Sequence, residues 1–248
     1  MGVCRPLLVA ALFSCASAAQ SASRPALTTR HSRVVCNRLE LLAAAKPPEP
    51  TPAAKLLDVS RSAAAETLIL LTFLRLVAVV IARVSNDTAR FWIGQLAWLA
   101  VVQGSSQIQG YVQSNTATLN EEWYAALTQP SWNPPAWVFP AMWIPIKLAQ
   151  TVGGAVAWRA LDHKVFAAPI VVFLLHLSLG DTWNVQFFLM QRLLTGLIVI
   201  YVFWAVLIAA TVLLGLTAPA AGALVAPGIA WIAVAAALNL DVWYLNKK

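Results

Sequence analysis

The sequence predicts an all-α membrane protein, a bundle of five transmembrane helices with one extra hydrophobic helix before it. Three observations carry that prediction. The 248 residues are 60% hydrophobic and only 11% charged, against about 45–50% and about 25% in soluble domains. The mean hydropathy of +0.71 excludes both a water-soluble globule and a disordered chain. Five stretches (91–112, 136–158, 166–190, 193–216 and 222–245) are mostly apolar, and about 20 such residues cross the hydrocarbon core. No alternating β pattern competes.

Residues 1–62 read as a presequence and linker. Arg5, the apolar run 7–13 and Ala16-Ser17-Ala18 have the three regions of a signal peptide. Residues 19–45 are rich in Ala, Ser, Thr and Arg, with Glu40 the only acid, which is transit-peptide composition. In series the two imply a plastid reached through the secretory pathway. A plain signal or transit peptide keeps the ER and mitochondrial membranes open. Residues 46–52 form a Pro-rich linker.

This extension holds eight Lys/Arg against three acids, so it carries most of the net charge of +7. That basicity is an address and does not argue for a nucleic acid partner. Cys4, Cys15 and Cys36, all three of the cysteines, also lie here. Disulfide, thiol redox and thiolate metal chemistry are thereby excluded from the rest of the chain.

Residues 63–90 hold the extra helix. Its apolar part, 67–82, is short and carries Arg75 at its centre. A central Arg costs about 2.5–3.5 kcal/mol on insertion scales. The segment therefore reads as an interfacial helix first and a span second. Residues 91–248 form the five-helix domain, with one long connection, 113–135.

That connection and the helix after it carry the densest chemistry. Pro134-Pro135 forces extended chain before the helix, and Asn133 is placed to cap it with Pro134 at its first position. Trp132, Trp137, Phe139 and Trp143 crowd the helix mouth. An interfacial aromatic belt is the simple alternative. Phe139, Trp143, Lys147, Gln150 and Gly154 then fall on one helical face. His176, Gly180, Trp183, Phe187 and Gln191 do so on the next helix, with Asp181 and Asn184 adjacent. Asn239 and Asn246 share a face with Ala235 and Val242. Such polar and aromatic stripes point inward, because lipid penalises them. The alternative for Asn239 is a hydrogen bond that glues helices together.

The run W-Y-x-x-L-x-x-P-x-W-x-P-P-x-W-x-F-x-x-x-W, from Trp123 to Trp143, resembles the signature of the TspO/MBR family, the tryptophan-rich sensory or translocator proteins. Trp183, Phe187-Phe188 and Arg192 agree with it, as do Pro227, Trp231, Asn239 and Asn246, and the glycines Gly104 and Gly110. The resemblance spans 91–248 and implies five transmembrane helices around a cavity under the first loop. It implies binding of porphyrin or haem (protoporphyrin IX among them) and, in some members, sterols. No obligatory cofactor and no bound metal is expected. Some members are reported to degrade protoporphyrin in light, which would give Trp143 and Trp231 a catalytic role. Flat aromatic walls with a few polar groups suit a planar tetrapyrrole.

The candidate ligand site is Trp123, Trp132, Pro134, Pro135, Trp137, Phe139, Trp143, Lys147, Gln150, His176, Asp181, Trp183, Phe187, Trp231 and Asn239. Lys147 stands where the family usually has Tyr, Gly180 where Asn is usual and Val185 where Pro is usual. Neither Lys147 nor Asp181 is stable unpaired in hydrocarbon. Lys147 is thus expected to pair with Asp181 or with a ligand carboxylate such as a porphyrin propionate. His176 reads as a hydrogen-bonding core residue, with axial iron ligation as the rival. Val242, Tyr244 and Lys247 fit a weak sterol pattern, against an ordinary Tyr/Lys interfacial anchor. Gly104, Gly110, Gly153 and Gly154 read as close-packing sites, and a homodimer stays open. The function that follows is tetrapyrrole binding for sensing, scavenging or transport. The alternatives are a light-dependent porphyrin-degrading enzyme and a sterol or lipid carrier.

Overall fold

In the computed structural model, which describes residues 50–112 and 121–247, the elements are helical throughout and no strand occurs among the described residues. The presequence and the three cysteines lie outside them. Helix α1 is Pro52–Ile81 and α2 is Asp87–Val112; a short α3, Glu121–Ala126, precedes α4, Val138–Ala160. Helix α5, Ala168–Asn184, continues into a π-helical turn, Val185–Leu189. Helix α6 is Leu193–Thr217, and α7, Pro219–Val225, and α8, Pro227–Asn246, complete the chain.

Helix α1 corrects the sequence reading. It starts at Pro52 and runs 30 residues, long and apolar enough to cross a membrane. The Pro-rich segment thus supplies the first helical residue, where no N–H is needed. Arg75 sits two turns from the C-terminal end, where a long side chain reaches the interface. Val59, Ala63, Leu70, Leu74, Ala78 and Ile81 form its buried stripe, and it packs on α2 and α5.

Four helices meet the length and hydropathy of a span: α1, α5 with its π turn, α6, and α7 with α8. Helices α2 and α4 have 26 and 23 residues, so they are long enough. Gln, Ser, Lys and Gly residues lower their hydropathy, and the five-span count from sequence is redistributed accordingly. The core joins Trp98, Trp158, Phe173, Ile200, Leu207 and Ile232, all fully buried or nearly so. Leu68, Leu76, Leu96, Ile144, Val212 and Leu216 stand exposed on the outside, as expected where the solvent is lipid.

Local signals explain the helix ends. The Asn86 carboxamide accepts the Ala89 N–H at 3.0 Å and caps α2. Helix α4 begins at Val138, and Asn133 does not cap it. Pro135 bars Pro134 from helical geometry, so 131–137 form turns, and Asn133 donates to the Gln129 side chain at 3.4 Å instead. Helix α4 ends with Asp162 and His163 in the left-handed region, at φ 50° and 60°, with the His163 N–H on the Trp158 carbonyl at 2.9 Å. Gln191 is also left-handed at φ 55° and exposed, so it leaves the inward stripe expected for it.

The glycines divide. A Cβ on Gly154 would lie 2.5 Å from the Trp98 ring, and one on Gly153 would lie 3.0 Å from Val225, so both are close-packing sites. At Gly104 a Cβ would meet nothing within 4 Å. That position is not a packing glycine within this chain.

Candidate ligand-binding site

Helices α2, α4, α5 and α6 enclose a cavity of about 170 Å³. Trp143, Lys147 and Gln150 enter from α4, His176, Gly180, Asp181 and Trp183 from α5, Ser105 from α2 and Phe203 from α6. The helical faces read from sequence thus do meet. Exposed Asn184 also lines the cavity, and its carboxamide donates to the Gly180 carbonyl at 3.1 Å.

The charged groups differ from expectation. The Lys147 ammonium donates to the Val102 carbonyl of α2 at 3.2 Å, and no ion pair joins it to Asp181. Asp181 is 7% exposed, and Glu66 of α1, fully buried, lies beside it. Both Glu66 oxygens, Asp181 Oδ2 and Ser105 Oγ are buried without a closed hydrogen bond. A polar contact holds α1 in this register: Thr67 Oγ1 donates to Ser178 Oγ at 3.0 Å, and Ser178 donates on to the Leu174 carbonyl at 3.1 Å. Sequence reasoning missed Glu66 because it started the segment at Thr67. Extending the buried stripe upstream through Ala63 and Val59 would have put Glu66 on the inner face.

His176 is a core residue. Its ring lies between Phe173 and Phe203, with centroids at 6.0 and 4.7 Å and interplanar angles of 10° and 14°. Gln150 Nε2 is 3.2 Å from His176 Nε2. The direction of that bond follows the imidazole tautomer and the amide orientation, and the buried Nδ1 has no closed hydrogen bond. With both faces covered and Nε2 against Gln150, the ring has the setting of a hydrogen-bonding core residue.

The other aromatics form a second tier around the cavity. Trp231 is 6% exposed and meets Trp143 edge to face at 6.5 Å and Phe139 at 5.9 Å. Of the two tryptophans singled out for photochemistry, Trp143 lines the cavity and Trp231 stands behind it. Trp183 donates to Asn239 Oδ1 at 3.1 Å, and Asn239 donates to the Ala235 carbonyl at 2.9 Å. Asn239 therefore does the work of interhelical glue. Phe187 stacks on Trp183 at 5.9 Å and takes Trp123 edge-on at 5.9 Å. Tyr124 packs on Phe187 and Phe188, and burial raises its phenol above the ordinary value near 10.

The loop residues Trp132, Pro134, Pro135 and Trp137 lie outside this cavity. Trp137 is 70% exposed, which suits an interfacial belt. Trp132 Nε1 donates to Asp241 at 2.8 Å. Thr128 and Asn246 exchange two hydrogen bonds, each of 2.9 Å. These bonds fasten the loop to the end of α8. There, Lys247 lies over the Tyr244 and Trp243 rings at 4.0 and 5.0 Å, while Val242 is fully buried. The three members of the sterol pattern therefore do not share one surface. The π turn at Val185–Leu189 closes α5, with Arg192 donating to Gln186 at 3.0 Å.

A polytopic helical membrane protein with an aromatic-walled polar cavity, fastened at one end by a Trp- and Pro-rich loop, is what this geometry defines. The sequence profile of the TspO/MBR family matches residues 99–245, more than half of the chain, and the chain belongs to that family. Among its relatives, the "Tryptophan-rich protein TspO" of Chlorobaculum tepidum is 30% identical over 159 residues, 61% of this chain and 98% of that protein. "Protein CrtK" of Rhodobacter capsulatus is 30% identical over 125 residues, 50% of this chain and 78% of that one. The "Translocator protein" of Homo sapiens is 31% identical over 126 residues, 50% and 75% of the two chains. Helix α1, and Glu66 with it, lies outside the range of the profile.

Proposed function

We propose that this family member binds a tetrapyrrole, protoporphyrin IX or haem, in its interior cavity, and so serves sensing, scavenging or transport of porphyrin. The observation that carries the reading is the cavity wall itself. Trp143, Trp183 and Phe203 supply flat apolar surface, and Lys147 and Gln150 supply donors on one helical face. Relatives named "Tryptophan-rich sensory protein" and "Translocator protein" are in keeping with a sensory or transport role.

Size adds a condition. Sites that enclose drug-sized ligands measure about 300–1,000 Å³, and this cavity is about 170 Å³. It accepts one edge of a macrocycle. Full enclosure requires the cavity to widen. The test is titration of protoporphyrin IX into the full chain, followed by tryptophan fluorescence. Saturable quenching is expected, weakened roughly tenfold or more in Lys147→Met, where a charge-assisted hydrogen bond to a propionate is lost. Non-saturable quenching, equal to that in protein-free micelles, refutes the reading.

The ring contact between Trp143 and Trp231 favours a second reading, oxidation of the bound porphyrin in light with these rings as electron donors. A new absorbing product on illumination, absent when both tryptophans become Phe, distinguishes it from binding alone. For the compartment, the reading is a plastid membrane, and a fluorescent fusion of residues 1–62 tests it.

A further inference from the structure

At the end of the bundle opposite the Trp-rich loop, α1, α2 and α4 part around a cleft of about 1,110 Å³. The sequence explains the room. Ala78, Ala82, Gly94, Ala155 and Ala160 line it with small side chains, and a Cβ on Gly94 would meet nothing within 4 Å. The floor is apolar, with Ile81, Phe91 and Val156. The rim carries four cations, Arg75, Arg90, Arg159 and Lys164, against two acids, Asp87 and Asp162.

One of these cations is already engaged. Arg90 lies 3.7 Å from Asp87, and its Nε donates to the Val84 carbonyl. The Arg159 guanidinium stands 5.9 Å above the Phe91 ring. No carboxylate among the described residues comes within 4.0 Å of Arg75, Arg159 or Lys164. His163 completes the corner, edge-on to Trp158 at 4.8 Å. Burial, then Arg90 and Arg159, hold its imidazole below the ordinary value of 6.5, with Asp162 opposing.

We propose that this cleft binds the anionic phosphoryl headgroup of a membrane lipid. The unpaired cations supply a positive rim at the level of the helix ends, and the apolar floor takes the start of an acyl chain. Basic pockets between transmembrane helices recognise phosphorylated headgroups in this way. A free phosphate shares the headgroup chemistry but has no use for the floor. Helix α1 supplies one wall, so the site depends on a helix that the family profile does not cover.

The test uses the full chain in micelles and native mass spectrometry, with phosphatidylglycerol, phosphatidylcholine and inorganic phosphate in separate arms. Phosphatidylglycerol is expected to bind saturably and at least tenfold more tightly than the other two. Each cation near a membrane surface contributes about fivefold, so the double variant Arg159→Gln, Lys164→Gln loses roughly twenty-five-fold. Arg83→Gln, at the same end but outside the cleft, retains wild-type binding. Equal binding of the two lipids overturns the proposal. So does an equal loss in Arg83→Gln, which would mean general surface charge, or saturation by inorganic phosphate alone at matched affinity. A readout free of substitutions is the His163 titration by NMR. Phosphatidylglycerol is expected to raise its pKa, because a bound anion offsets Arg90 and Arg159. An unchanged titration in the presence of the lipid counts against the cleft.

Discussion

Replacing Gly154 with Ala tests the packing that sets the bundle's geometry. Gly154 lies on α4 against Trp98 of α2, and an added Cβ would stand 2.5, 2.7 and 2.8 Å from three atoms of that indole. Ordinary van der Waals contact begins near 3.4 Å, so the ring must retreat by about 0.9 Å at the closest point. It has little freedom to do so. Trp98 is fully buried, stacks on Phe173 at 5.6 Å, and meets Trp158 edge-on at 6.4 Å. Overpacking of this kind costs about 1–3 kcal/mol, and three simultaneous ring contacts put this case in the upper half. That corresponds to a Tm lowered by roughly 4–12 °C. The assay is thermal inactivation of the purified full chain in detergent, read as the monodisperse fraction left after heating. Gly104→Ala, where a Cβ meets nothing within 4 Å, serves as the reference and keeps the parent's Tm. If both variants match the parent, the α2–α4 contact is not as close as described and the reasoning fails.

Three further outcomes follow. Glu66→Gln replaces one of two adjacent buried carboxyls by a group that can donate to Asp181 Oδ2. Thermal stability is therefore expected to hold or rise, and a Tm drop of more than a few degrees speaks against the unpaired geometry. Asn239→Leu strips the acceptor from the buried Trp183 N–H and is expected to cost about 0.6 kcal/mol, the average for hydrogen bonds between membrane helices, and no more than about 1.7 kcal/mol; denaturation in mixed micelles measures it. The pKa of His163 is lower folded than unfolded, so the unfolded chain binds more protons between the two values. Its contribution to stability is present above 6.5 and is lost as pH falls toward the folded value. His163→Gln is expected to flatten that part of the stability-against-pH curve, and an unaltered slope refutes the assignment.

The helical periods of Trp143, Lys147 and Gln150, and of His176, Gly180 and Trp183, were sufficient to forecast the cavity wall. A 3.6-residue period fixes a face, and a face rich in polar groups has to turn away from lipid. What the period does not fix is the partner across the helix interface. Lys147 found a backbone carbonyl of α2, and Asp181 found Glu66. Glu66 escaped notice because the apolar stretch read from sequence begins one residue later, at Thr67. The helix that forms is 30 residues long, and Arg75 is not at its middle. Asn133 and Gln191 were misassigned for backbone reasons. Successive prolines and a left-handed residue end helical geometry locally, whatever the pattern of side chains says.

Helix α1 also changes the parity of the chain. Its first turns lie near the start of α6, as the 3.6 Å approach of Asp58 to Arg192 records, and that is the end where α8 finishes at Asn246. Six long helical passes in alternation return a chain to the side it left, whereas five deliver it to the other. The start of α1 and the end of α8 therefore lie at one end of the bundle, together with the Trp-rich loop. Protease accessibility at residues 50–52 and at Lys247 should report the same compartment, and a reporter placed at either position reads the orientation of both.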